Sequence, residues 1–362
     1  MPFPKGTSKI PSLNLRIIKK AQAHQNQLTK PQGSLGRLEE LAIQLAGITQ
    51  KVTPSLGKKR VIVCAGDHGV AEENISAYPQ EVTAQMVQNF LHNGAAINVL
   101  ARYLHAELQI VDTGVAAPLP PHPQLTSNKI RPGTRNFKKE PAMTPNECSQ
   151  ALAYGVHLAR QAHRDHIGIV VTGEMGIGNT TSASALMSVL LPCAVEDVVG
   201  YGTGISSAQW LKKCQIIHHA VNLHHSKLQN PFAILQTLGG FEIAVLTGII
   251  LGCAQLRIPI MIDGFISSAA FLVAYRNNPR VKDFCFFAHC SEEPGHAQFF
   301  NRLKTKPLLD LKMRLGEGTG GVLALSILEA ALHLHNEMAT FERAQVSKKL
   351  PTRPPSKKPV HS

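Results

Sequence analysis

Residues 167–185 read IGIVVTGEMGIGNTTSASA. A β-branched run is followed by a glycine-rich turn holding one carboxylate, Glu174, and then by Asn179, Thr180 and Thr181 at helix-capping positions. Strand, turn and helix in that order are the unit of a parallel α/β sheet. The same rhythm recurs on either side. The runs 60–65 (RVIVCA), 108–112 (LQIVD), 258–263 (IPIMID) and 283–288 (DFCFFA) have strand length, and each ends in glycine or a polar residue before a helical pattern. The tetrad Thr144, Pro145, Asn146 and Glu147 opens one helix as a capping box, and the stripe Leu35, Leu38, Leu41, Ala42 and Leu45 predicts another after Ser34. The expected fold is α/β: a Rossmann-like, doubly wound, mainly parallel sheet.

Helical segments without strands at both ends suggest a small lobe built from the N- and C-termini. This divides the chain into a helical segment 1–55, a sheet domain 56–310, a loop and helix 311–345, and a tail 346–362. The proline-rich stretch 117–132 reads as a loop. The stretch 238–256 is long enough to span a bilayer, but it contains Glu242 and runs into Arg257 and Pro259, so it reads as a buried helix.

The chain has 362 residues and a formal charge of +13, but residues 347–362 carry five positive charges, four prolines and no acid. That tail reads as disordered and leaves a mild excess elsewhere. Seven scattered cysteines with no CxxC pair fit neither a disulfide framework nor a zinc ribbon. With no signal-like N-terminus, the expected location is the cytoplasm.

Ligands of doubly wound sheets bind beyond the carboxyl ends of the strands. Four such segments carry candidates. In AGDHGV (65–70), Asp67 stands in a tight turn with a secondary place in a site. In 172–185, Gly176 allows close backbone approach, and the amides near Asn179 and Thr180 suit a phosphate. The turn is neither a Walker loop nor a dinucleotide fingerprint. Glu174 would repel a phosphate in contact with it, so it should face a neutral or cationic part of the ligand. The turn GYGTGIS (200–206), with Gly202 and Gly204 and with Lys212 and Lys213 downstream, is a candidate second anion cradle, a weak signal by itself because a glycine-rich turn and a solvated lysine pair on a helix surface are common. In RLGEGTGG (314–321), Glu317 is bare between glycines, as a positioned general base requires, although a helix-capping acid has the same pattern. Asp263, Gly264 and Ser291 also follow strands and form a second tier. The doublets His218-His219 and His224-His225, and the run His289, Cys290, Glu292, Glu293 and His296, offer ligand types without an accepted metal spacing; no metal is expected.

Five motifs in order, KPQGSLGRLEEL (30–41), AGDHGVAEE (65–73), EVTAQMVQNFL (81–91), GEMGIGNTT (173–181) and RLGEGTGG (314–321), resemble the nicotinate-nucleotide:dimethylbenzimidazole phosphoribosyltransferases of cobalamin lower-ligand assembly. The resemblance runs from about residue 10 to about 341. It implies a homodimer that moves phosphoribose from nicotinate mononucleotide to 5,6-dimethylbenzimidazole, giving α-ribazole 5′-phosphate and nicotinate, with no cofactor. It further implies Glu317 as general base and Glu174 as a second active-site carboxylate. Gly176, Gly202, Gly204 and Lys213 would lie at the phosphoribosyl group, and Gln80, Gln88 and Met175, with Leu315, at the aromatic base. The 30–41 region would approach the partner subunit's site.

Two other classes fit less well. A nucleotide-dependent oxidoreductase lacks a complete GxGxxG after a strand. A nucleic-acid binder would rest on the tail's charge, with few aromatics for stacking.

Overall fold

A computed structural model describes residues 3–4, 9–202 and 204–347. Strands β1 (Lys58–Gly66), β2 (Ala106–Gly114), β3 (Leu125–Ser127), β4 (Ile167–Met175), β5 (Ile260–Ile262) and β6 (Cys285–Phe287) form one sheet. Their order is β3-β2-β1-β4-β5-β6, and every pairing is parallel. The interior of β1 and nearly all of β4 are buried on both faces, which is why these strands read as continuous apolar runs and not as alternating ones. The order reverses between β1 and β4, so the crevice of the fold opens beyond their carboxyl ends.

Helices Pro145–Arg164, Phe241–Gln255 and Phe265–Asn277 pack together and against the central strands. Every residue from Phe241 to Ala254 is buried, as its all-round apolar character requires. Among the described residues no helix is long and apolar enough to cross a membrane. The expected capping box is present: Thr144 Oγ1 accepts from the Glu147 amide at 3.2 Å, and Glu147 Oε2 accepts from the Thr144 amide at 2.7 Å.

A second group, Arg37–Thr49, Ala96–Tyr103 and Thr319–Glu337, packs together, and its last helix lies on β4 and β5. Helix Leu15–Gln25 joins it through buried His335. The His335 ring donates from Nε2 to the Val52 carbonyl at 2.8 Å, so its Nδ1 accepts from the Gln25 amide at 2.8 Å. Leu41, Leu45, Val322 and Leu325 share one apolar cluster with the strand interiors.

One expectation needs correction. The 117–132 stretch is not all loop, because Leu125–Ser127 pairs with Ile110–Asp112 as an edge strand; three residues after a proline-rich run give no strand periodicity. In the 311–345 segment the loop runs to Gly318 and the helix starts at Thr319. The helix expected after Ser34 begins at Arg37. The tail lies, from residue 348 on, outside the described residues.

Candidate active site

Glu174 is the penultimate residue of β4, beside Cys64 of β1. Its carboxyl is buried and accepts a hydrogen bond from the Asn179 side-chain amide. Burial, then the neighbouring charges of Asp263 and Glu242, push its pKa up to about 8, against the Asn179 bond.

Glu317 comes to the same place from a loop. Gly316, Glu317 and Gly318 have φ of 85°, 64° and 92°, three left-handed residues in succession. For glutamate this conformation costs on the order of 1 kcal/mol and persists only where the surroundings enforce it. Those surroundings are visible. The Glu317 amide donates to the Glu174 carbonyl at 3.3 Å, and Glu317 Oε2 accepts from the Ile97 amide at 3.2 Å, a free N–H in the first turn of helix Ala96–Tyr103. Oε1 is left for a ligand. The loop lies so close to β4 that a Cβ on Gly173 would stand 2.5 Å from the Glu317 carbonyl oxygen. Burial raises the Glu317 pKa; the Ile97 amide opposes this and the Asp263 charge adds to it. A base with proton affinity above that of an ordinary carboxylate is better matched to neutral pH.

Both carboxylates line a cavity of about 400 Å³, within the range of small-molecule sites. Its walls include Tyr78, Val82, Met86, Met175, Phe265 and Leu315, with His289, Ser291 and Glu293 from the chain after β6. A smaller space of about 40 Å³ shares Gly176, Asn179, Thr180 and Gly202 with it and contains Lys213. The Lys213 ammonium is buried and donates to Thr180 Oγ1 at 3.0 Å. Burial holds its pKa down at about 8, with Glu293 acting the other way. Under the glycine turn, buried His68 and Glu242 pair at 2.6 Å, and a Cβ on Gly178 would lie 3.2 Å from the His68 Cβ. Two wider grooves of about 940 and 990 Å³ contain none of the expected site residues, so chemistry and not size singles out the smaller cavity.

Residues 10–346 match the family DBI_PRT, described as phosphoribosyltransferase. The nicotinate-nucleotide–dimethylbenzimidazole phosphoribosyltransferase of Prosthecochloris aestuarii is 47% identical over 347 residues, covering 96% of this chain and 98% of that one. Its namesake from Chlorobium chlorochromatii is 50% identical over 329 residues, covering 91% and 93%. The chain belongs to this phosphoribosyltransferase family. The crystal structure of CobT from Thermus thermophilus superposes with a TM-score of 0.88 at 43% identity, covering 92% of this chain and 100% of that one.

Of the residues expected at the phosphoribosyltransferase site, Glu174, Met175, Gly176, Asn179, Thr180, Gly202, Gly264, Ser291, Leu315 and Glu317 line the main cavity, and Lys213 the side space. Gly204 lines neither. Gln80 and Gln88 are not lining residues either. Tyr78, Val82 and Met86 occupy that wall, and Gln88 lies two residues past Met86, roughly 200° round the helix. Asp67 is turned to the β2 loop, accepting from the Ala116 amide at 2.7 Å. Asp263 is behind the wall, accepting from the Gly321 amide at 2.7 Å. Sequence reasoning missed Val82 and Met86, whose i, i+4 spacing is an ordinary amphipathic stripe, and the Ile97 amide, which has no side-chain signal. His289 and Glu293, first weighed as metal ligands, are wall residues; among the described residues no three His, Cys, Asp or Glu are arranged to hold a metal ion.

Proposed function

We propose that this enzyme transfers the phosphoribosyl group of nicotinate mononucleotide to 5,6-dimethylbenzimidazole, releasing nicotinate and forming α-ribazole 5′-phosphate. The observation that carries the reading is the joining of Glu317 and Glu174 through a backbone hydrogen bond at the edge of a cavity whose side space holds the buried Lys213. The pyridine nitrogen of the donor is already cationic and leaves as a neutral ring, so it needs no acid. One benzimidazole nitrogen attacks the anomeric carbon as the bond to nicotinate breaks. The other nitrogen gives its proton to Glu317, which leaves the product ring neutral. Attack from the face opposite nicotinate inverts the centre from β to α.

Glu174, which retains its proton up to about pH 8, is the second carboxyl beside the ribose, and the glycine turns at Gly176, Gly202 and Gly204, with Asn179, Thr180, Gly264, Ser291 and Lys213, hold the phosphoribosyl group. Met175 and Leu315, with Gln80 and Gln88 at the outer end, receive the base. The enzyme acts as a cytoplasmic homodimer in which residues 30–41 approach the partner subunit's site. Purified protein incubated with nicotinate mononucleotide and 5,6-dimethylbenzimidazole should yield nicotinate and the α-linked product in equal amounts; a β-linked product, or none, refutes the reading.

Two further outcomes follow from the buried charges. Lys213→Ala removes the one buried ammonium of the side space and should raise KM for nicotinate mononucleotide about 10- to 100-fold, as expected for a lost charge-assisted hydrogen bond, with a smaller change in kcat. An unchanged KM places the phosphate elsewhere. Glu174 retains its proton in the folded protein up to about pH 8, whereas the unfolded chain loses it near the ordinary value of 4.5. Its contribution to stability is therefore full below about pH 4.5 and is lost as pH rises through 8. Thermal unfolding should show Tm falling across that window, and Glu174→Gln should flatten the fall; an identical slope in the variant contradicts the assignment.

A further inference from the structure

The helix Thr319–Glu337, which follows Glu317 directly, has no side-chain cap of its own, since its N-cap is Gly318 at φ 92°. One amide of its first turn, that of Gly321, is satisfied from another strand. Asp263, immediately after β5, is buried, and its Oδ1 accepts from the Gly321 amide at 2.7 Å; the Gly318 and Gly320 amides nearby also favour its ionised form. Asp263 is itself fixed to β4, because its amide donates to Thr172 Oγ1 at 3.2 Å. The helix start lies hard against the strand ends: a Cβ on Gly321 would stand 2.4 Å from Val171 Cγ1, and one on Gly320 2.1 Å from His289 Cδ2. That closeness lets a short aspartate reach the amides.

We propose that Asp263 is the positioning residue of the general base: its carboxylate clamps the start of helix Thr319–Glu337 to β5 and thereby sets where the Glu317 carboxyl stands. The proposal rests on the reading of Glu317 as base and adds the group that holds it. Asp263 does not line the cavity. Its neighbours account for its electrostatic role. Burial raises the pKa of Asp263, and His289, just beyond β6 and 3.9 Å away, opposes this and favours the ionised form; when ionised, Asp263 places negative charge beside Glu174 from β4 and Glu317 from the loop, and Glu242 from helix Phe241–Gln255 adds to the charge at Glu174. In its ionised form the clamp also strengthens the base, because a nearby negative charge makes Glu317 hold a proton more tightly.

Asp263→Asn tests this. The asparagine amide fills the same space but turns a donor toward backbone donors and removes the charge. Expected are a kcat about 10- to 100-fold lower, a KM for nicotinate mononucleotide within about threefold of the parent, and an acid limb of the kcat profile moved to lower pH. In a Glu317→Gln background the same change should cost less than about twofold, because it acts through a base already removed. An unchanged kcat, or an equal loss in both backgrounds, overturns the proposal. If Asp263→Asn does not fold, amide exchange in the unaltered enzyme decides: the Gly321 amide should be strongly protected, and fast exchange there refutes the clamp. Failure of the functional reading shows separately, as absence of product from the unaltered enzyme or full turnover in Glu317→Gln alone.

Discussion

Glu317→Gln lowers turnover by about 10²- to 10⁴-fold, the range for loss of a positioned general base, while the dissociation constant of nicotinate mononucleotide stays within about threefold. Glutamine keeps the volume and can still accept from the Ile97 amide, so the loop keeps its anchor; what disappears is the ability to take a proton. The benzimidazole can still attack, but the positive charge growing on its ring is no longer discharged as the sugar bond forms. Rapid-quench measurement of nicotinate release, beside calorimetric binding of the donor, separates the two effects. Unchanged turnover would remove Glu317 as the base, and a parallel loss of donor affinity would mean that its role is in binding.

Gly173→Ala should be almost as damaging without touching any reacting group. The added Cβ would stand 2.5 Å from the Glu317 carbonyl oxygen and 2.9 Å from its carbonyl carbon. Backbone cannot swing aside as a flexible side chain can, so the Gly316–Gly318 turn must move away from β4, carrying the carboxyl with it. A displacement of about 1 Å costs a reaction on the order of 10²-fold when the geometry of attack is set by position. The overpacking itself should lower stability by about 1–3 kcal/mol. The expected pattern is a large fall in kcat, a modest fall in Tm and a donor KM close to the parent's, because the phosphate contacts proposed above lie at and beyond Gly176. Parent-level kcat in this variant would mean that the contact between loop and strand does not position the base.

The central strands were legible because both of their faces are buried, which turns position in the sheet into uninterrupted apolar runs such as 61–65 and 167–171. Strand β3 was not, since three residues on an edge take their conformation from pairing with β2 and not from their own side chains. Glu174 and Glu317 could be singled out because glycine neighbours around a lone acid have few packing explanations. Their convergence could not be read: 143 positions separate them, and the link is one backbone hydrogen bond. The Lys212-Lys213 pair resembled a solvated helix surface, yet the helix phase leaves Lys212 exposed and buries Lys213 beside Thr180. Glu242 stood out as one acid in an apolar helix, but its partner His68 lies 174 residues away and carries no local sign of the pairing.

Transfer of the incoming ring's proton to the Glu317 carboxyl is the step on which the mechanism turns. A crystal structure of the enzyme holding 5,6-dimethylbenzimidazole together with the nicotinate nucleotide decides it. Glu317 Oε1 should lie about 2.6–3.2 Å from the ring nitrogen that faces away from the ribose, the reach of a proton-accepting group. A carboxyl more than about 5 Å from both ring nitrogens, with no bridging water, would contradict it.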